Sequence, residues 1–405
     1  MAEPKPGKEL SPALVGFRVL ELTTMLAGPM AGMLLADHGA DVIKIELPGA
    51  GDGMRQWGHL KHGHGLFWKM ISRNKKLITL DVRRPKGRDL FLALVARSDV
   101  LIENFRPGTL DRWGLDWTTL MAANPRLVVL RISGFGQSGP KSRQPGFGSQ
   151  AESLSGFAAI NGWPDRSPVL PPFGLADSIA GITGAFGVLA ALLSAQRLGV
   201  GQEIDIALYE PILTTLGPIL IDYDQLGIVQ TRTGNSTPHA APRGAYLTRE
   251  KEWIAISCAN QNTTERLFET MGQPDLIIDD RFSDNGRRLK NRDALDQLVT
   301  EWCSNRSLTE ALDELDAHGV PACPFYDAVD ILGDEHFNER GSIVTIPDAD
   351  LGDIQMQAPI PKMSGTPPAI RFAGGKIAQD NHDVYGGLLG LSTEAIAGLA
   401  AEKII

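Results

Sequence analysis

The stretch RVLELTTMLAGPMAGMLLADHGADVIKIE, residues 18–46, decides the fold. It predicts a strand over Arg18–Leu22, a helix that opens at Gly28-Pro29 and runs through Asp37, and a second strand over Asp41–Glu46. Short apolar runs with branched side chains are typical of strands, and proline is favoured in the first turn of a helix. Two strands joined through a helix by short loops run parallel with a right-handed crossover.

The same alternation of strands and helices continues along the chain. Strands are predicted at Leu77–Val82, Val100–Glu103, Leu127–Ile132 and Glu203–Ala207. Helices are predicted at Lys86–Arg97, around Leu110–Ala123, after Asp177, and from Pro211 to about Leu226. This pattern favours an α/β fold with a large doubly wound, Rossmann-like parallel sheet.

The pattern changes after residue 227. Thr231–Arg243 is rich in Thr, Asn, Ser and Pro and predicts a linker or mobile loop. A hairpin is predicted from Ala245–Thr248 and Trp253–Ser257, followed by three helices, the last of which Ser307 and Glu310 should cap. Strands return at Ser342–Ile346 and Ile354–Ala358, before a final helix from Ser392. We therefore predict a large α/β domain of residues 1–227 and 326–405, interrupted by a small α+β domain of residues 228–325.

Composition excludes several functional classes. The chain has 405 residues, more than one hydrophobic core usually serves, and a net charge of -9 without a long basic run. Such a surface repels nucleic acid. Its three cysteines are scattered, and the first residues show no targeting pattern, which together favour a reducing, cytoplasmic setting.

The segment Ser178–Gln196 carries no charge and therefore raises the question of a membrane. It is rich in Ala and Gly, and Gly181, Gly184 and Gly187 recur every third residue. Such spacing suits a helix pressed closely against another backbone. We expect a buried core helix, and no membrane association.

Two short motifs suggest a dinucleotide site and a metal site, but the residues around them do not support either. Gly134–Gly139 matches the dinucleotide pattern G-x-G-x-x-G after a strand, but Pro140 and Pro145 prevent a helix from starting there. A glycine-rich turn near a ligand is the better interpretation. His62-Gly63-His64 has no other His or Cys clustered nearby and does not predict a metal site.

Asp177, in FGLADSIAG at residues 173–181, directly precedes the uncharged helix. One interpretation is an ordinary N-cap. The other is a nucleophile, because backbone N–H groups and the helix dipole would keep this carboxylate ionised at neutral pH. An ionised carboxylate facing a cavity can attack an activated carbonyl.

Several further blocks occur in a fixed order. They are Gly16–Leu22, Ala27-Gly28-Pro29, Leu35–Glu46, Lys75-Lys76-Leu77, Glu103–Gly108, Leu110-Asp111-Arg112, Gly134-Phe135-Gly136 and Gly199–Asp205. Together, over roughly residues 14 to 400, the chain resembles the family III CoA-transferases, or CaiB/BaiF type. Relatives of this type include formyl-CoA transferase, carnitine CoA-transferase and α-methylacyl-CoA racemase.

The resemblance implies an acyl-CoA:carboxylate CoA-transferase with Asp177 as covalent nucleophile. The expected route passes through an aspartyl mixed anhydride and an aspartyl-CoA thioester. It implies no metal or redox cofactor, with coenzyme A as a substrate carrier. It also implies a ring-shaped subunit threaded through its twin in an interlocked homodimer.

The CoA pocket of the family maps onto six positions of this chain: Leu26, Ala27, Leu80, Asn104, Phe105 and Arg112. Phe105 offers an apolar face to adenine. The planar guanidinium of Arg112 can pair with phosphate, and its alternative interpretation is a solvated helix charge.

At several positions the chain departs from the family pattern, and these departures disfavour some of the reactions that the family catalyses. Racemases of this fold need a His as proton shuttle, and the aligned residue here is Phe147, which cannot move protons. Many relatives carry an acid at the position of Gly148 that helps to order the aspartate, so that help must come from elsewhere or be absent. Leu26 replaces a Gln beside the nucleophile, and Pro238–Ala245 replaces the glycine-rich flap of the oxalate enzymes.

The sequence defines the carboxylic acids between which CoA is exchanged less closely than it defines the reaction. Arg243 and His239 could bind a second carboxylate, as a succinyl-type donor or a dicarboxylate acceptor requires, or both could be solvated loop residues. We expect a short-chain or dicarboxylic acid. The alternatives are an isomerase of the racemase branch and a non-catalytic CoA-binding protein, although the retained Asp177 disfavours the latter.

Overall fold

A computed structural model describes residues 11–405, which form two compact units. The first unit contains the residues up to Phe157, Leu170–Pro218 and Phe337–Ile405, and the second contains Ala158–Val169 and Ile219–His336. Compactness alone does not establish independently folding domains. The domain division at residues 227/228 and 325/326 therefore stays a prediction.

The strands and helices of the described residues follow in chain order. The strands are β1 (Arg18–Leu22), β2 (Asp41–Glu46), β3 (Leu60–Lys61), β4 (His64–Gly65), β5 (Lys76–Thr79), β6 (Val100–Glu103), β7 (Val128–Ser133), β8 (Glu203–Ala207), β9 (Arg243–Leu247), β10 (Trp253–Ser257), β11 (Ala322–Pro324), β12 (Ile343–Asp348) and β13 (Gly352–Gln357). The helices are α1 (Ala27–Asp37), α2 (Leu66–Ile71), α3 (Pro85–Val95), α4 (Thr109–Arg112), α5 (Trp117–Ala123), α6 (Gly148–Leu154), α7 (Phe157–Ile160), α8 (Leu175–Leu198), α9 (Tyr209–Thr215), α10 (Ile219–Leu226), α11 (Gln261–Thr270), α12 (Asn285–Lys290), α13 (Arg292–Ser304), α14 (Leu308–Ala317), α15 (Ala328–Gly333), α16 (Glu335–Glu339) and α17 (Thr393–Ala401). A π-helix spans His382–Leu388, and 3-10 turns span Gly53–Gln56 and Pro274–Ile277.

The first unit is built on a parallel sheet in the order β5-β2-β1-β6-β7-β8. Every neighbouring pair runs parallel, as in Val19 of β1 opposite Val42 of β2 and Val100 of β6. β2 and β5 follow one another on one side of β1, and β6, β7 and β8 follow one another on its other side. The doubly wound α/β fold is confirmed, with its topological switch point between β1 and β6.

The predicted elements agree best in the parallel sheet. The predicted bounds of β1, β2, β6 and β8 match the structure. The single helix predicted from Pro211 is wrong, because the left-handed Gly217 and the following Pro218 separate α9 from α10. The predicted hairpin forms from β9 and β10, and Ser307 accepts the N–H of Glu310 at the start of α14.

Helix α8 lies against α1 and the sheet. A side-chain carbon at Gly181 would lie 2.8 Å from the carbonyl oxygen of Ala27 and 2.7 Å from Cγ of Met30. A side-chain carbon at Gly184 would lie 2.8 Å from Leu130 of β7. The close packing predicted from the glycine spacing is therefore confirmed on this face of α8.

The opposite face of α8 is exposed. The apolar side chains of this outer stripe are Ile182, Phe186, Leu189 and Leu193. By length and composition α8 could cross a membrane, and 44 % of its most apolar window is buried within the described structure. Core helices of soluble proteins meet the same criterion, so this finding weighs little for or against a membrane.

Candidate active site

Asp177 lies in the first turn of α8, where Gly174 is the N-cap residue. The interpretation of Asp177 as an N-cap is therefore wrong. Asp177 is the third residue of α8 and lies within the helix, whereas an N-cap residue stands directly before the first helical residue.

The environment of Asp177 raises its pKa from 3.8 to about 6. Burial is the main cause, the negative charge of Glu152 adds to it, and the backbone N–H of Asp177 acts in the opposite direction. Asp177 is thus still mostly ionised at pH 7, as the sequence predicted. The helix end does not dominate as expected, because desolvation and a second carboxylate outweigh it.

Glu152 is a site residue that sequence reasoning missed. It lies in α6 and is only 3 % exposed, and its Oε1 accepts the backbone N–H of Ala176 at 3.3 Å. Its carboxylate therefore caps the first turn of α8 from a neighbouring helix. A signal was present in the sequence, because Glu152 follows Gly148 by four residues and lies on the same helical face.

Two glycines make room for the Asp177 carboxylate. A side-chain carbon at Gly148 would overlap Oδ2 of Asp177, and one at Gly174 would overlap the side chain of Leu26. With the Asp177 carboxylate in this position, a side chain at residue 148 could be accommodated only if that carboxylate moved. Leu26 contacts the N-cap of α8, which places an apolar wall beside the carboxylate as the sequence suggested.

The predicted CoA-binding residues gather at the carboxyl edge of the sheet. Leu26 and Ala27 begin α1 just after β1, and Asn104 follows β6 on the other side of the switch point. Thr24 donates its N–H to Oδ1 of Asn104 at 3.0 Å, and Nδ2 of Asn104 donates to the Thr24 carbonyl at 2.7 Å. These two hydrogen bonds join the loops that flank the position where such sheets bind ligands.

The remaining predicted CoA-binding residues lie at the same edge. Leu80 directly follows β5 and is buried. The Phe105 ring packs edge-on against Trp113 with centroids 5.0 Å apart. Arg112 ends α4, is exposed, and donates to Oγ1 of Thr109 at 2.9 Å, which leaves most of its guanidinium free for a ligand.

A buried ion network supports the loop after β1. Lys44 lies 3.0 Å from Glu21 and 2.8 Å from Asp52, and Lys75 lies 2.7 Å from Glu21. Lys44 also donates to the Thr23 carbonyl, and Asp52 accepts the N–H of Met25, whose φ is 65°. The network therefore holds a left-handed backbone turn immediately before Leu26.

The predicted acceptor residues belong to the second unit. His239 is exposed, and its backbone carbonyl accepts Nδ2 of Asn285 at 2.9 Å. Arg243 begins β9, is also exposed, and makes one long hydrogen bond of 3.4 Å to the Asn235 carbonyl. Phe147, the residue at the position of the racemase histidine, precedes α6 and is 68 % exposed.

Comparison with known proteins identifies the family. A family model described as CoA-transferase family III matches residues 14–381. The chain belongs to CoA-transferase family III. The resemblance stated from the sequence is thereby confirmed.

Individual members of this family match over nearly the full length. A succinyl-CoA–D-citramalate CoA-transferase of Chloroflexus aurantiacus is 43 % identical, covering 96 % of this chain and 97 % of that protein. A succinyl-CoA–L-malate CoA-transferase alpha subunit from the same organism is 38 % identical, covering 100 % and 95 %. The crystal structure of a CAIB/BAIF family protein from Brucella suis superimposes with a TM-score of 0.82 at 32 % identity, covering 93 % and 100 %. This family III member is therefore an enzyme of the CoA-transferase type.

Proposed function

We propose that this chain transfers CoA from a succinyl-type thioester to a second dicarboxylic acid, with Asp177 as nucleophile. The similar transferases of Chloroflexus aurantiacus are named for succinyl-CoA, the thioester of a dicarboxylic acid, and for D-citramalate or L-malate, which are dicarboxylates. The observation that carries the proposal is the Asp177 carboxylate, held in the first turn of α8 between Gly148 and Leu26.

The first half of the reaction loads the enzyme. A carboxylate oxygen of Asp177 attacks the thioester carbonyl carbon, the carbon–sulfur bond breaks, and CoA leaves as a thiolate. The product is a mixed anhydride between Asp177 and the donor acid. The thiolate then attacks the Asp177 carbonyl of this anhydride, the donor acid leaves as a carboxylate, and an aspartyl-CoA thioester remains.

The second half repeats these steps with the acceptor acid. Its carboxylate attacks the aspartyl thioester and releases the CoA thiolate, which gives a mixed anhydride of Asp177 and the acceptor. The thiolate then attacks the acceptor carbonyl, which forms the new acyl-CoA and restores the Asp177 carboxylate. Every step exchanges one acyl bond for another, so no oxidant or reductant enters.

Asp177 suits this role because it is a carboxylate without a cationic partner. Among residues 11–405, no Lys, Arg or His lies within ion-pair distance of it. Its pKa of about 6 leaves it ionised at neutral pH but more basic than an ordinary aspartate. A more basic carboxylate is a better nucleophile toward a thioester.

The CoA moiety is proposed to lie along the carboxyl edge of the sheet. Leu26, Ala27 and Asn104 flank the switch point, Leu80 follows β5 at the same edge, Phe105 provides an apolar contact, and Arg112 offers a free guanidinium for phosphate. Arg243 and His239 are proposed to bind the second carboxylate of the acids. Both side chains are exposed, which leaves them available to an anion.

A second copy of the chain is proposed to cover the outer stripe of α8. Ile182, Phe186, Leu189 and Leu193 recur at intervals of four and three residues, the spacing of a helix-packing seam. The stripe supports a homodimer; that the two subunits are ring-shaped and interlocked, and that the protein is cytoplasmic, are further parts of the proposal. Sedimentation of the purified chain tests it, since a monomer at micromolar concentration would contradict the dimer.

Intact-protein mass spectrometry tests the proposed chemistry. The enzyme is mixed with succinyl-CoA or a monocarboxylic acyl-CoA, and the adduct is trapped with hydroxylamine or borohydride. Modification mapped to Asp177 with succinyl-CoA supports the proposal and identifies the donor. No adduct from a broad panel, together with α-proton exchange on a branched acyl-CoA, would instead establish an isomerase.

A further inference from the structure

The first turn of α8 receives two carboxylates instead of one. Glu152 accepts the N–H of Ala176 from outside the helix, while Asp177 projects from the next residue. Glu152 is 3 % exposed, so water screens its charge poorly. Nothing in the hydrogen bond to Ala176 requires a charged acceptor, because a neutral amide oxygen would serve equally well.

The other charged or titratable groups near α8 are directed elsewhere. On the elements packed against α8, and on α8 itself, they are Asp37 of α1, Arg131 of β7, Glu203 and Asp205 of β8, Tyr209 and Glu210 of α9, and Arg197. Asp37 pairs with Arg73, and Arg131 pairs with Glu203. Asp205 accepts the N–H of Gln137, and Glu210 accepts that of Ala207. Among the described residues, Glu152 is the one charged side chain that shifts the pKa of Asp177.

We propose that Glu152 is a positioning residue whose negative charge favours conversion of Asp177 into its neutral anhydride and thioester forms. This inference rests on the proposed function of Asp177. In the free enzyme two anions share one helix end and repel each other. Acylation removes the charge of Asp177 and with it the repulsion, so the covalent forms gain stability relative to the free carboxylate.

The closeness of α6 to Asp177 also explains why α6 carries an acid at residue 152 and a glycine at residue 148. An acid at residue 148 would have to share space with the Asp177 carboxylate, because even a single carbon there overlaps it. Moving the charge one helical turn further along α6 keeps it close to Asp177 and removes the overlap. Glu152 thus places a negative charge close to Asp177, while Gly148 leaves space for the Asp177 carboxylate.

Glu152→Gln is the matched variant, because it keeps the side-chain volume and the acceptor for Ala176 but removes the charge. Two quantities are measured by intact-protein mass spectrometry: the pH dependence of Asp177 acylation by succinyl-CoA, and the equilibrium ratio of aspartyl-CoA enzyme to free enzyme at fixed succinyl-CoA and succinate. We expect the inflection of the pH profile to move down by about one pH unit and the adduct ratio to fall about tenfold. Asp89→Asn removes one charge from an exposed position and should change neither.

The outcomes separate this inference from the proposed function. If the wild-type enzyme forms no adduct at Asp177, the proposed function fails, and the role of Glu152 fails with it. If the wild type forms the adduct and Glu152→Gln leaves both the inflection and the ratio unchanged, the role of Glu152 alone is overturned. Should Glu152→Gln not fold, Glu152→Asp provides the test: its shorter side chain withdraws the charge, so a smaller downward shift supports the inference and an unchanged profile overturns it.

Discussion

Two carboxylates of the first unit, Glu21 and Asp177, differ in a way that separates the scaffold from the proposed reactive site. Glu21 is completely buried, and burial alone would raise its pKa, but Lys75 and Lys44 hold the pKa below 4.5. Asp177 is only partly buried, yet its pKa rises to about 6. The difference is the partner: Glu21 faces two cations, whereas Asp177 faces the anion of Glu152.

One helix connects the two environments. On one side of α1, a side-chain carbon at Gly32 would overlap the Glu21 carboxylate, and the Pro29 carbonyl accepts Nζ of Lys75 at 2.8 Å. On the other side, Ala27 and Met30 contact Gly181 of α8. A satisfied ion network thus anchors the helix that packs against α8, which carries the proposed nucleophile, so the two carboxylates should respond oppositely to loss of charge.

Removing the charge of Asp177 should have the largest effect. Asp177→Asn should lower CoA transfer by at least about 10⁴-fold, because the nucleophile is lost. It should also stabilise the fold by roughly 2 kcal/mol near pH 7.5, a value reduced for partial solvent screening. The pKa of the folded state is raised, so the wild type is destabilised as pH rises through about 6, and the advantage of the variant should vanish as pH falls toward 4.

Urea unfolding at several pH values and a transfer assay measure both effects. Asp89→Asn, at an exposed position, should leave activity and stability nearly unchanged. An Asp177→Asn variant that is less stable than the wild type at pH 7.5 would show that Asp177 is part of the scaffold, which would remove the contrast with Glu21.

Removing the charge of Glu21 should act in the opposite direction. Glu21→Gln removes the carboxylate that pairs with Lys75 in a buried site and leaves Lys44 paired with Asp52 alone, which should cost about 3–5 kcal/mol of unfolding free energy. The pKa of Glu21 is lowered in the folded state, so its contribution is present above about 4.5 and is lost as pH falls. Urea unfolding at pH 7.5 and 4 measures this loss.

The exposed pair of Lys86 and Glu402 offers the matched control. Its carboxylate lies 2.7 Å from the amine but is 45 % exposed. Glu402→Gln should therefore change the unfolding free energy little, because solvent screens an exposed ion pair. If Glu21→Gln costs no more than this control, the buried network does not anchor α1.

Filling the space beside Asp177 should affect catalysis more than stability. Gly148→Ala pushes a methyl group against Oδ2 of Asp177, and displacing a reacting group by about 1 Å can cost about 10²-fold in kcat. Gly398→Ala in α17 is the control, since its added carbon meets nothing within 4 Å. Steady-state kinetics with thermal melting measures both, and an unchanged kcat for Gly148→Ala would mean that the carboxylate can turn away without loss.

The sequence predicted the sheet better than the site, and the reason is physical. β1, β2 and β6 could be predicted residue for residue because their apolar runs are buried inside the sheet, and β8, at its edge, because Ile204 and Ile206 alternate with the exposed Glu203 and Asp205. The division of α9 from α10 is less visible in the sequence, because Gly217 and Pro218 interrupt an otherwise largely apolar run. Family likeness located Asp177, but Glu152 carries no motif, and its role depends on how α6 packs against α8.

The CoA-binding prediction can be tested at Arg112. Arg112→Ala should raise the KM for succinyl-CoA about tenfold, because one charge-assisted phosphate contact is lost, and Arg112→Lys should recover only part of it. Arg126, at the opposite edge of the sheet before β7, is exposed and should be replaceable by Ala without effect. An unchanged KM for Arg112→Ala would favour the interpretation as a solvated helix charge.

The smallest expected effect concerns Arg243, which extends the contrast from protein carboxylates to substrate carboxylates. Lys44 and Lys75 are occupied by protein anions, whereas Arg243 makes a single long hydrogen bond to a backbone carbonyl, so its charge is available to a ligand. Arg243→Ala should raise the KM for a dicarboxylate acceptor by about five- to tenfold and leave that for a monocarboxylate of equal length nearly unchanged. Arg249→Ala, which removes an exposed guanidinium already paired with Glu310, should alter neither. If Arg243→Ala raises the KM for the dicarboxylate and for the monocarboxylate equally, the guanidinium does not bind the second carboxylate. The preference for dicarboxylic acids must then arise from other residues.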